Sequence, residues 1–172
     1  MVPLHILRPH EYRPSIFAID LERLKDRGIR AIMLDLDNTL VRWNDPDPTP
    51  QVQEWLRRVE SLGLLPCIVS NNRGTRVQQF AERVGVPFIP RAIKPRRRGF
   101  LEAMNRLGVK PSETVVVGDQ LFTDILGGKR AGAYTILVVP IHPKEFIGTR
   151  VVRFVERQVL KRLQKDGLRV QE

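Results

Sequence analysis

The sequence has very few residues that bind transition metals. It contains one cysteine, Cys67, and three histidines in 172 residues. A single cysteine excludes an intramolecular disulfide and a cysteine metal cluster, and its apolar surroundings indicate an inert buried thiol. His5, His10 and His142 are far apart and lack the spacing of a transition-metal site, so we expect each to be solvated or hydrogen-bonded.

Long apolar runs and aromatic residues are also scarce. No run approaches the roughly 20 residues that a membrane span needs, and the N-terminus lacks the uninterrupted apolar core of a signal peptide. Aromatic residues make up only 6% of the chain, which disfavours the stacking platform of a single-strand nucleic-acid binder. We therefore expect one soluble cytoplasmic domain over residues 1–172, with a peripheral position at the inner face of the membrane as the alternative.

Basic residues outnumber acidic ones by 29 to 19, which gives a net charge of +10. Such a charge favours anionic partners: a phosphorylated substrate, an acidic lipid surface or nucleic acid. Charge alone does not choose among these partners, and a basic surface without a specific role is a further alternative. The sequence leaves the number of subunits open.

Apolar strand patterns alternate with amphipathic helical patterns along most of the chain. This alternation predicts an α/β fold, a three-layer Rossmann-like parallel sheet with helices on both faces. The strands are predicted at residues 29–36, 64–69, 87–89, 114–117 and 134–139, and the helices at 16–27, 51–62, 74–84, 95–107 and 121–131.

Three parts of the domain differ in composition. Residues 1–28 form an arm and a short helix, and we expect the first 15 residues to be irregular because Pro3, Pro9 and Pro14 interrupt them. Residues 29–139 form the core with the strand and helix patterns. Residues 140–172 carry a basic amphipathic helix.

This C-terminal helix is predicted over residues 149–165, with apolar residues on one face and basic residues on another. We expect the apolar stripe to pack on the domain and the cationic face to remain in solvent. The apolar positions are Val152, Val155, Val159 and Leu163, and the basic positions are Arg150, Arg153, Arg157 and Lys161.

Polar side chains follow three of the apolar strands directly. Asp35 and Asp37 follow the apolar residues 31–34 of the first strand, Ser70 follows the second strand, and Asp119 follows the fourth. Because ligands bind beyond the carboxyl ends of parallel strands, we expect these residues to share one site. Two carboxylates held at a strand end repel each other, and a shared Mg²⁺ relieves that repulsion. An acidic turn without function is the alternative for the Asp-x-Asp pair alone.

The chemistry of these residues suits phosphoryl transfer. Asp35 is the predicted nucleophile that forms an aspartyl-phosphate, and Asp37 is the predicted acid and base for the leaving group and water. Ser70, Asn71 and nearby backbone N–H groups hold the phosphate oxygens in this interpretation.

Charged residues later in the chain complete the predicted site. Lys94 supplies a fixed positive charge, and Asp119 with Asp124 completes the Mg²⁺ site. Arg96, Arg97 and Arg98 follow Lys94; we favour an anionic substrate surface for them over a solvated helical turn, because their charge opposes the helix dipole.

Four motifs in order resemble those of the haloacid dehalogenase-like phosphatases over roughly residues 29–139. The resemblance implies Asp35 as nucleophile, Asp37 as acid and base, and Thr39 as the residue that fixes the first motif beside the phosphate. The motifs are Asp35-Leu36-Asp37-Asn38-Thr39, Val69-Ser70-Asn71-Asn72, Lys94-Pro95, and Gly118-Asp119 with Asp124.

The resemblance also implies the roles of the remaining site residues. Ser70 and Lys94 are the implied phosphoryl binders, and Asp35, Asp119 and the Asp37 carbonyl are the implied Mg²⁺ contacts. The short distances between motifs leave no room for a cap domain, and capless members of the family resemble enzymes for bulky substrates.

Within the family, the chain resembles the bacterial YqeG family and the mitochondrial phosphatidylglycerophosphate phosphatase. That resemblance implies an Mg²⁺-dependent phosphatase acting on phosphatidylglycerophosphate, an anionic phospholipid. The alternatives are a phosphatase for a soluble or nucleic-acid-linked phosphate, and a non-catalytic binder of anionic ligands on the same fold. Nucleic acid is the less favoured partner.

Overall fold

The computed structural model describes residues 3–43, 45–142 and 150–172. Its centre is a six-stranded sheet in which every pair of neighbours is parallel. The spatial order of the strands is β1-β6-β5-β2-β3-β4. The strands are β1 (Glu11–Arg13), β2 (Ala31–Leu34), β3 (Leu65–Val69), β4 (Phe88–Ile89), β5 (Thr114–Gly118) and β6 (Tyr134–Val138).

Helices cover both faces of this sheet, so the predicted three-layer α/β fold is confirmed. Helices α3 and α4 pack on one face and α5 packs on the other, each with its own apolar core. The helices are α1 (Leu4–Leu7), α2 (Leu21–Asp26), α3 (Pro50–Ser61), α4 (Gly74–Val84), α5 (Arg98–Leu107), α6 (Leu126–Arg130) and α7 (Arg150–Lys165).

The central strand β2 is buried along its whole length. Ile32 and Leu34 contribute to the core on one face, and Ala31 and Met33 contribute to the core on the other. A strand buried on both faces reads as a continuous apolar run, which is why the sequence identifies it so clearly. Cys67 also lies in the core, as predicted.

The N-terminal arm differs from its prediction. We expected an irregular segment, but β1 pairs in parallel with β6 at the edge of the sheet. The prolines do not prevent this pairing because Pro9 and Pro14 flank the strand instead of lying within it. Glu11 and Arg13 lie on the same side of the strand and are both buried. They form an ion pair, with 2.6 Å between Arg13 Nη2 and Glu11 Oε2.

Two helices differ from their predicted bounds. The predicted helix at 16–27 divides into a 3-10 turn at Ile16–Ala18 and α2, whose N-cap Asp20 accepts a hydrogen bond from the Arg23 N–H. Helix α5 begins at Arg98 and not at residue 95. Asn71 bonds to both the N–H and the carbonyl of Lys94, which holds the preceding segment as a loop.

Helix α7 corrects the prediction for the C-terminal stripe. Leu163 is buried, but Val152 and Val155 are 43% and 44% exposed. In the first turns of the helix the polar side chains of Arg153 and Glu156 face the domain, where they form hydrogen bonds with Asp119 and Phe122. Position 149, the predicted start, lies outside the described residues.

The order in which the chain adds strands to the sheet reverses between β2 and β5. The chain proceeds from β2 through β3 to β4 on one side, and β5, β6 and β1 lie on the other. The reversal leaves a crevice at the carboxyl ends of β2 and β5, and open parallel sheets bind their ligands in such a crevice. Among the described residues, no helix is both long and apolar enough to cross a membrane.

Candidate active site

The residues that follow β2, β3 and β5 meet at this crevice. Asp35 follows β2, and its N–H donates to the Val117 carbonyl of β5 at 3.0 Å. Asp119 follows β5 and Ser70 follows β3; both are buried. The fold therefore brings together residues that the strand-end pattern had grouped.

Three carboxylates form a cluster at this point. Asp35, Asp119 and Asp124 each place a carboxylate oxygen within 4.8 Å of those of the other two. Asp124 packs directly on the end of β5, where a Cβ on Gly118 would lie 2.2 Å from the Asp124 Cγ. Glycine at position 118 therefore makes room for the third carboxylate.

Lys94 connects two members of the cluster. Its Nζ donates to Asp35 Oδ1 at 2.6 Å and to Asp124 Oδ1 at 2.7 Å. The Asn71 amide fixes the backbone of Lys94, because it accepts from the Lys94 N–H at 2.6 Å and donates to the Lys94 carbonyl at 3.1 Å. Asn71 thus positions Lys94, while its predicted contact with phosphate stays a prediction.

Burial and mutual repulsion dominate the electrostatics of the cluster. Burial raises the pKa of Asp35 well above its usual range, Lys94 opposes that rise, and Asp124 and Asp119 add to it. Burial also raises the pKa of Asp119 to about 6, against the opposing effect of Arg153. Burial alone would lower the pKa of Lys94, but Asp124 and Asp35 more than offset it and raise the pKa.

This donor set fits a hard divalent cation. Three carboxylates converge in a buried site, and oxygen ligands of this kind are those that Mg²⁺ prefers. A cation would also relieve the repulsion that raises the pKa values of Asp35 and Asp119. The residues present therefore suit a divalent metal.

The carboxylate of Asp37 lies apart from this cluster and has its own partners. Arg76 Nη1 donates to Asp37 Oδ1 at 2.6 Å, and Asn72 Nδ2 donates to Asp37 Oδ2 at 3.3 Å. A second Arg76 nitrogen donates to the Asp45 carbonyl at 2.8 Å, which fixes the guanidinium. These contacts hold the Asp37 carboxylate in one orientation, and the metal contact implied for the Asp37 carbonyl stays a prediction.

Thr39 and Ser70 organise the neighbouring motifs. The Thr39 hydroxyl donates to Asp119 Oδ1 at 3.1 Å and so links the first motif to the fourth. Ser70 Oγ accepts from the Asn72 N–H at 3.0 Å at the turn after β3. The roles of both residues toward phosphate stay predictions.

Two residues of α7 belong to the site, although the sequence analysis placed Arg153 on the solvent face of the helix and made no prediction for Glu156. The Arg153 guanidinium, predicted to lie in solvent, pairs with the Asp119 carboxylate and donates to the Asp119 carbonyl at 3.0 Å. Glu156 accepts from Arg153 at 3.1 Å and from the Phe122 N–H at 2.8 Å. Burial raises the pKa of Glu156 to about 7.

The sequence analysis also did not identify Arg76 as a residue of the site. Its position on α4 resembles any exposed basic residue on a helix, and only the packing of α4 beside the loop after β2 brings it to Asp37. For α7, the one sequence feature that could have indicated a role in the site is Glu156, an acid within an otherwise basic helix.

The match to a family model agrees with this geometry. The model of the haloacid dehalogenase-like hydrolases matches residues 17–132. The chain belongs to the haloacid dehalogenase-like hydrolases, and the predicted family is confirmed. In the described residues, the chain between β2 and β5 holds only β3, β4, α3, α4, α5 and the 3-10 helix Pro111–Glu113 as regular structure, which is consistent with a capless member.

Named relatives narrow the class. The chain is 45% identical over 159 residues to "Probable phosphatase YqeG" of Bacillus subtilis, with 92% of each chain covered. It is 29% identical to "Phosphatidylglycerophosphate phosphatase 1, chloroplastic/mitochondrial" of Arabidopsis thaliana, covering 94% of this chain and 49% of that protein. The prediction of an enzyme that hydrolyses phosphoric monoesters is confirmed.

A solved structure shows the same fold. The cobalt-bound deoxy-D-mannose-octulosonate 8-phosphate phosphatase of Haemophilus influenzae matches with a TM-score of 0.55 and 13% identity. The match covers 80% of this chain and 90% of that one. At this identity the likeness concerns the fold alone.

Lys94 is expected to matter more for turnover than the arginines that follow it. Lys94 is buried against Asp35, whereas Arg96, Arg97 and Arg98 are exposed. We expect Lys94→Met to lower kcat about 100-fold, because a fixed charge beside the transferring phosphoryl group acts in the transition state. Arg97→Met is the matched control, and we expect a change within about twofold. Equal losses of kcat in both variants on a small phosphate ester would contradict the assignment.

Proposed function

We propose that the protein is an Mg²⁺-dependent phosphatase that forms an aspartyl-phosphate on Asp35 and that acts on phosphatidylglycerophosphate. The observation that carries the catalytic part is the Asp35 carboxylate beside Lys94 in the buried cluster with Asp119 and Asp124. A nucleophile, a fixed cation and oxygen ligands for a metal are the main needs of phosphoryl transfer.

In the first step, a carboxylate oxygen of Asp35 attacks the phosphorus atom of the monoester. The bond between phosphorus and the alcohol oxygen breaks, and Asp37 donates a proton to that oxygen. Ser70, Lys94 and backbone N–H groups hold the phosphoryl oxygens during the transfer. Arg76 and Asn72 fix the orientation of the Asp37 carboxylate.

In the second step, Asp37 removes a proton from a water molecule. The water oxygen attacks the phosphorus of the aspartyl-phosphate, the Asp35 carboxylate leaves, and inorganic phosphate is released. The same residue thus serves as acid and then as base.

The metal in this proposal is Mg²⁺. Asp35, Asp119 and Asp124, with the main-chain carbonyl of Asp37, would hold it. When bound, it neutralises negative charge on the transferring phosphoryl group. Calorimetric titration with Mg²⁺ at neutral pH tests this point directly.

Three features support a lipid substrate. The net charge of +10 suits an anionic surface. Helix α7 exposes apolar side chains next to its basic ones, among them Val151 at 76% and Phe154 at 57% exposure. The name of the Arabidopsis relative states phosphatidylglycerophosphate as its substrate. An exposed apolar surface flanked by cations is typical of a helix that lies at a membrane interface.

The experiment compares substrates in two physical forms. Purified protein is given anionic vesicles that contain phosphatidylglycerophosphate and, separately, a panel of soluble phosphate esters that includes a 5′-phosphorylated oligonucleotide. We expect the rate of phosphate release to be highest with the vesicles and to fall as the salt concentration is raised. Faster turnover of a soluble ester without vesicle binding would refute the lipid substrate, and binding without turnover of any ester would favour a non-catalytic binder.

Substitutions on α7 test the membrane contact separately from the chemistry. Phe154→Ser combined with Val155→Ser should weaken sedimentation with anionic vesicles, because both side chains are exposed and apolar. Val170→Ser, which removes an exposed valine beyond the helix, is the matched control. Equal binding by both variants would contradict a membrane contact through α7.

A further inference from the structure

Exposed apolar side chains surround the opening of the active site. Trp43, Ile93 and Ile141 lie in the loops that follow β2, β4 and β6, and all three are exposed. Because the strands are parallel, these loops lie at the carboxyl edge of the sheet, where the active site is. Single exposed apolar residues are common, but a group of them around one opening marks an interaction site. We call these three side chains the apolar rim.

Ile93 is the most exposed member of the apolar rim, at 59%. It directly precedes Lys94, whose amino group donates to Asp35. Its φ of 55° is a left-handed conformation that is unfavourable for a β-branched residue and easy for glycine or asparagine. A side chain that faces solvent has little packing to offset this cost. The strained position of Ile93 therefore indicates a contact outside the domain.

Hydrogen bonds hold the other two loops beside the same site. The Ile141 N–H donates to the carbonyl of Asn38, in the first motif, at 3.0 Å. Trp43 lies two residues before Asp45, whose carbonyl accepts at 2.8 Å from Arg76, the arginine that orients the predicted acid and base. All three members of the apolar rim therefore border one opening.

Basic side chains stand among the apolar ones at this edge. Arg153 brings the exposed apolar turn of α7 to the same edge through its contact with Asp119. Asp47, an acid in the loop of Trp43, pairs with Arg83, so its charge is compensated. An apolar surface with interspersed cations is typical of a protein that lies at an anionic membrane interface. The exposed arginines of the loops after β2, β3 and β4 and of the start of α5 are Arg42, Arg73, Arg91, Arg96, Arg97 and Arg98.

We propose that this edge of the protein, and not α7 alone, is the surface that contacts an anionic lipid bilayer. Trp43, Ile93 and Ile141 enter the interface between headgroups and acyl chains, and the arginines bind lipid phosphates. The active site then opens toward the bilayer, so a phosphomonoester on a lipid headgroup reaches Asp35 while the acyl chains stay in the membrane. The proposal rests on the lipid substrate proposed above and adds the orientation of the enzyme on the bilayer.

The two tryptophans of the chain report this orientation. Trp43 is 42% exposed, whereas Trp55 is 7% exposed and lies in the core. Trp55→Phe leaves Trp43 as the only tryptophan, and Trp43→Phe leaves Trp55 as the matched control. Vesicles of phosphatidylglycerol and phosphatidylcholine should shift the emission of Trp43 to shorter wavelength, and brominated acyl chains should quench it. The emission of Trp55 should not change, and vesicles of phosphatidylcholine alone should affect neither tryptophan.

Substitution at Ile93 tests the apolar rim without a tryptophan. Ile93→Asn suits the left-handed backbone and removes the exposed apolar side chain. We expect it to weaken binding to the anionic vesicles about tenfold, because one large apolar side chain no longer enters the membrane. Hydrolysis of a small soluble phosphate ester should stay within about twofold of the parent. Leu65→Thr is the matched control, since Leu65 is exposed at the opposite edge of the sheet, where β3 begins.

The outcomes separate the orientation from the proposed function. Vesicle binding without a change in Trp43 emission, or parent-like vesicle binding by folded Ile93→Asn, would overturn the membrane contact of the apolar rim and leave the lipid phosphatase intact. A Trp43 response to an oligonucleotide but not to anionic vesicles would overturn the bilayer as the partner. Hydrolysis of soluble esters without binding to any vesicle would overturn the orientation and the lipid substrate together.

Two further results would support the surface. A response of Trp43 without one of Trp55, together with a loss of vesicle binding in Ile93→Asn and not in Leu65→Thr, supports the proposal. The same pattern in a protein that hydrolyses no ester would support the membrane surface and overturn the phosphatase function.

Discussion

Replacing Asp35 with asparagine is expected to lower kcat at least about 1000-fold, which corresponds to about 4 kcal/mol of lost transition-state stabilisation. The amide cannot attack phosphorus, so no covalent intermediate forms. The fold should persist because asparagine is nearly isosteric.

Two measurements check this prediction. Steady-state hydrolysis of a small phosphate ester gives kcat, and acid-quenched protein shows whether phosphate is covalently bound. Asp26→Asn, a change of an exposed acid at the end of α2, is the matched control and should behave like the parent. A loss of less than tenfold in folded Asp35→Asn protein would show that Asp35 is not the nucleophile.

Replacing Asp119 with alanine is expected to remove Mg²⁺ binding and to lower activity at least about 100-fold, because a bound metal contributes several kcal/mol to transition-state stabilisation. The substitution removes one of the three clustered carboxylates and the partner of Arg153 and Thr39. Only part of the donor set then remains for a divalent cation.

Calorimetry and a chelator distinguish this effect from simple unfolding. Mg²⁺ binding is measured by titration calorimetry in the parent and in Asp119→Ala, with thermal unfolding as the check on the fold. The chelator EDTA should inhibit the parent enzyme. Full activity of the parent in excess EDTA, or unchanged Mg²⁺ affinity in Asp119→Ala, would contradict the metal assignment. Asp166→Ala, at an exposed acid just beyond α7, serves as the matched control.

Helix α7 connects the chemistry to the surface of the protein. The Arg153 side chain reaches Asp119, while Val151 and Phe154 on the same turns face outward. One helix thus contributes both to the active site and to an exposed apolar surface. Apart from Glu156, the sequence between positions 149 and 165 shows only basic and apolar periodicity, so the contact of Arg153 with Asp119 could not be assigned from it.

The sequence alone determined the central sheet and the catalytic pattern. Strands β2, β3 and β5 are continuous apolar runs because they are buried on both faces, and this signal is local. Asp35, Ser70 and Asp119 follow these runs directly, and the parallel topology requires the ends of such strands to meet. Both the fold class and the grouping of these three residues follow from short stretches of chain.

The tertiary structure alone decided which side chains support the catalytic residues. Arg76, Arg153 and Glu156 occupy helical positions whose composition matches that of a solvated face, and their partners lie more than 30 residues away. The pairing of β1 with β6 likewise depends on a distant strand. A charged residue in solvent and one in a buried ion pair have the same local sequence signal, because the difference between them lies in what the rest of the chain places opposite.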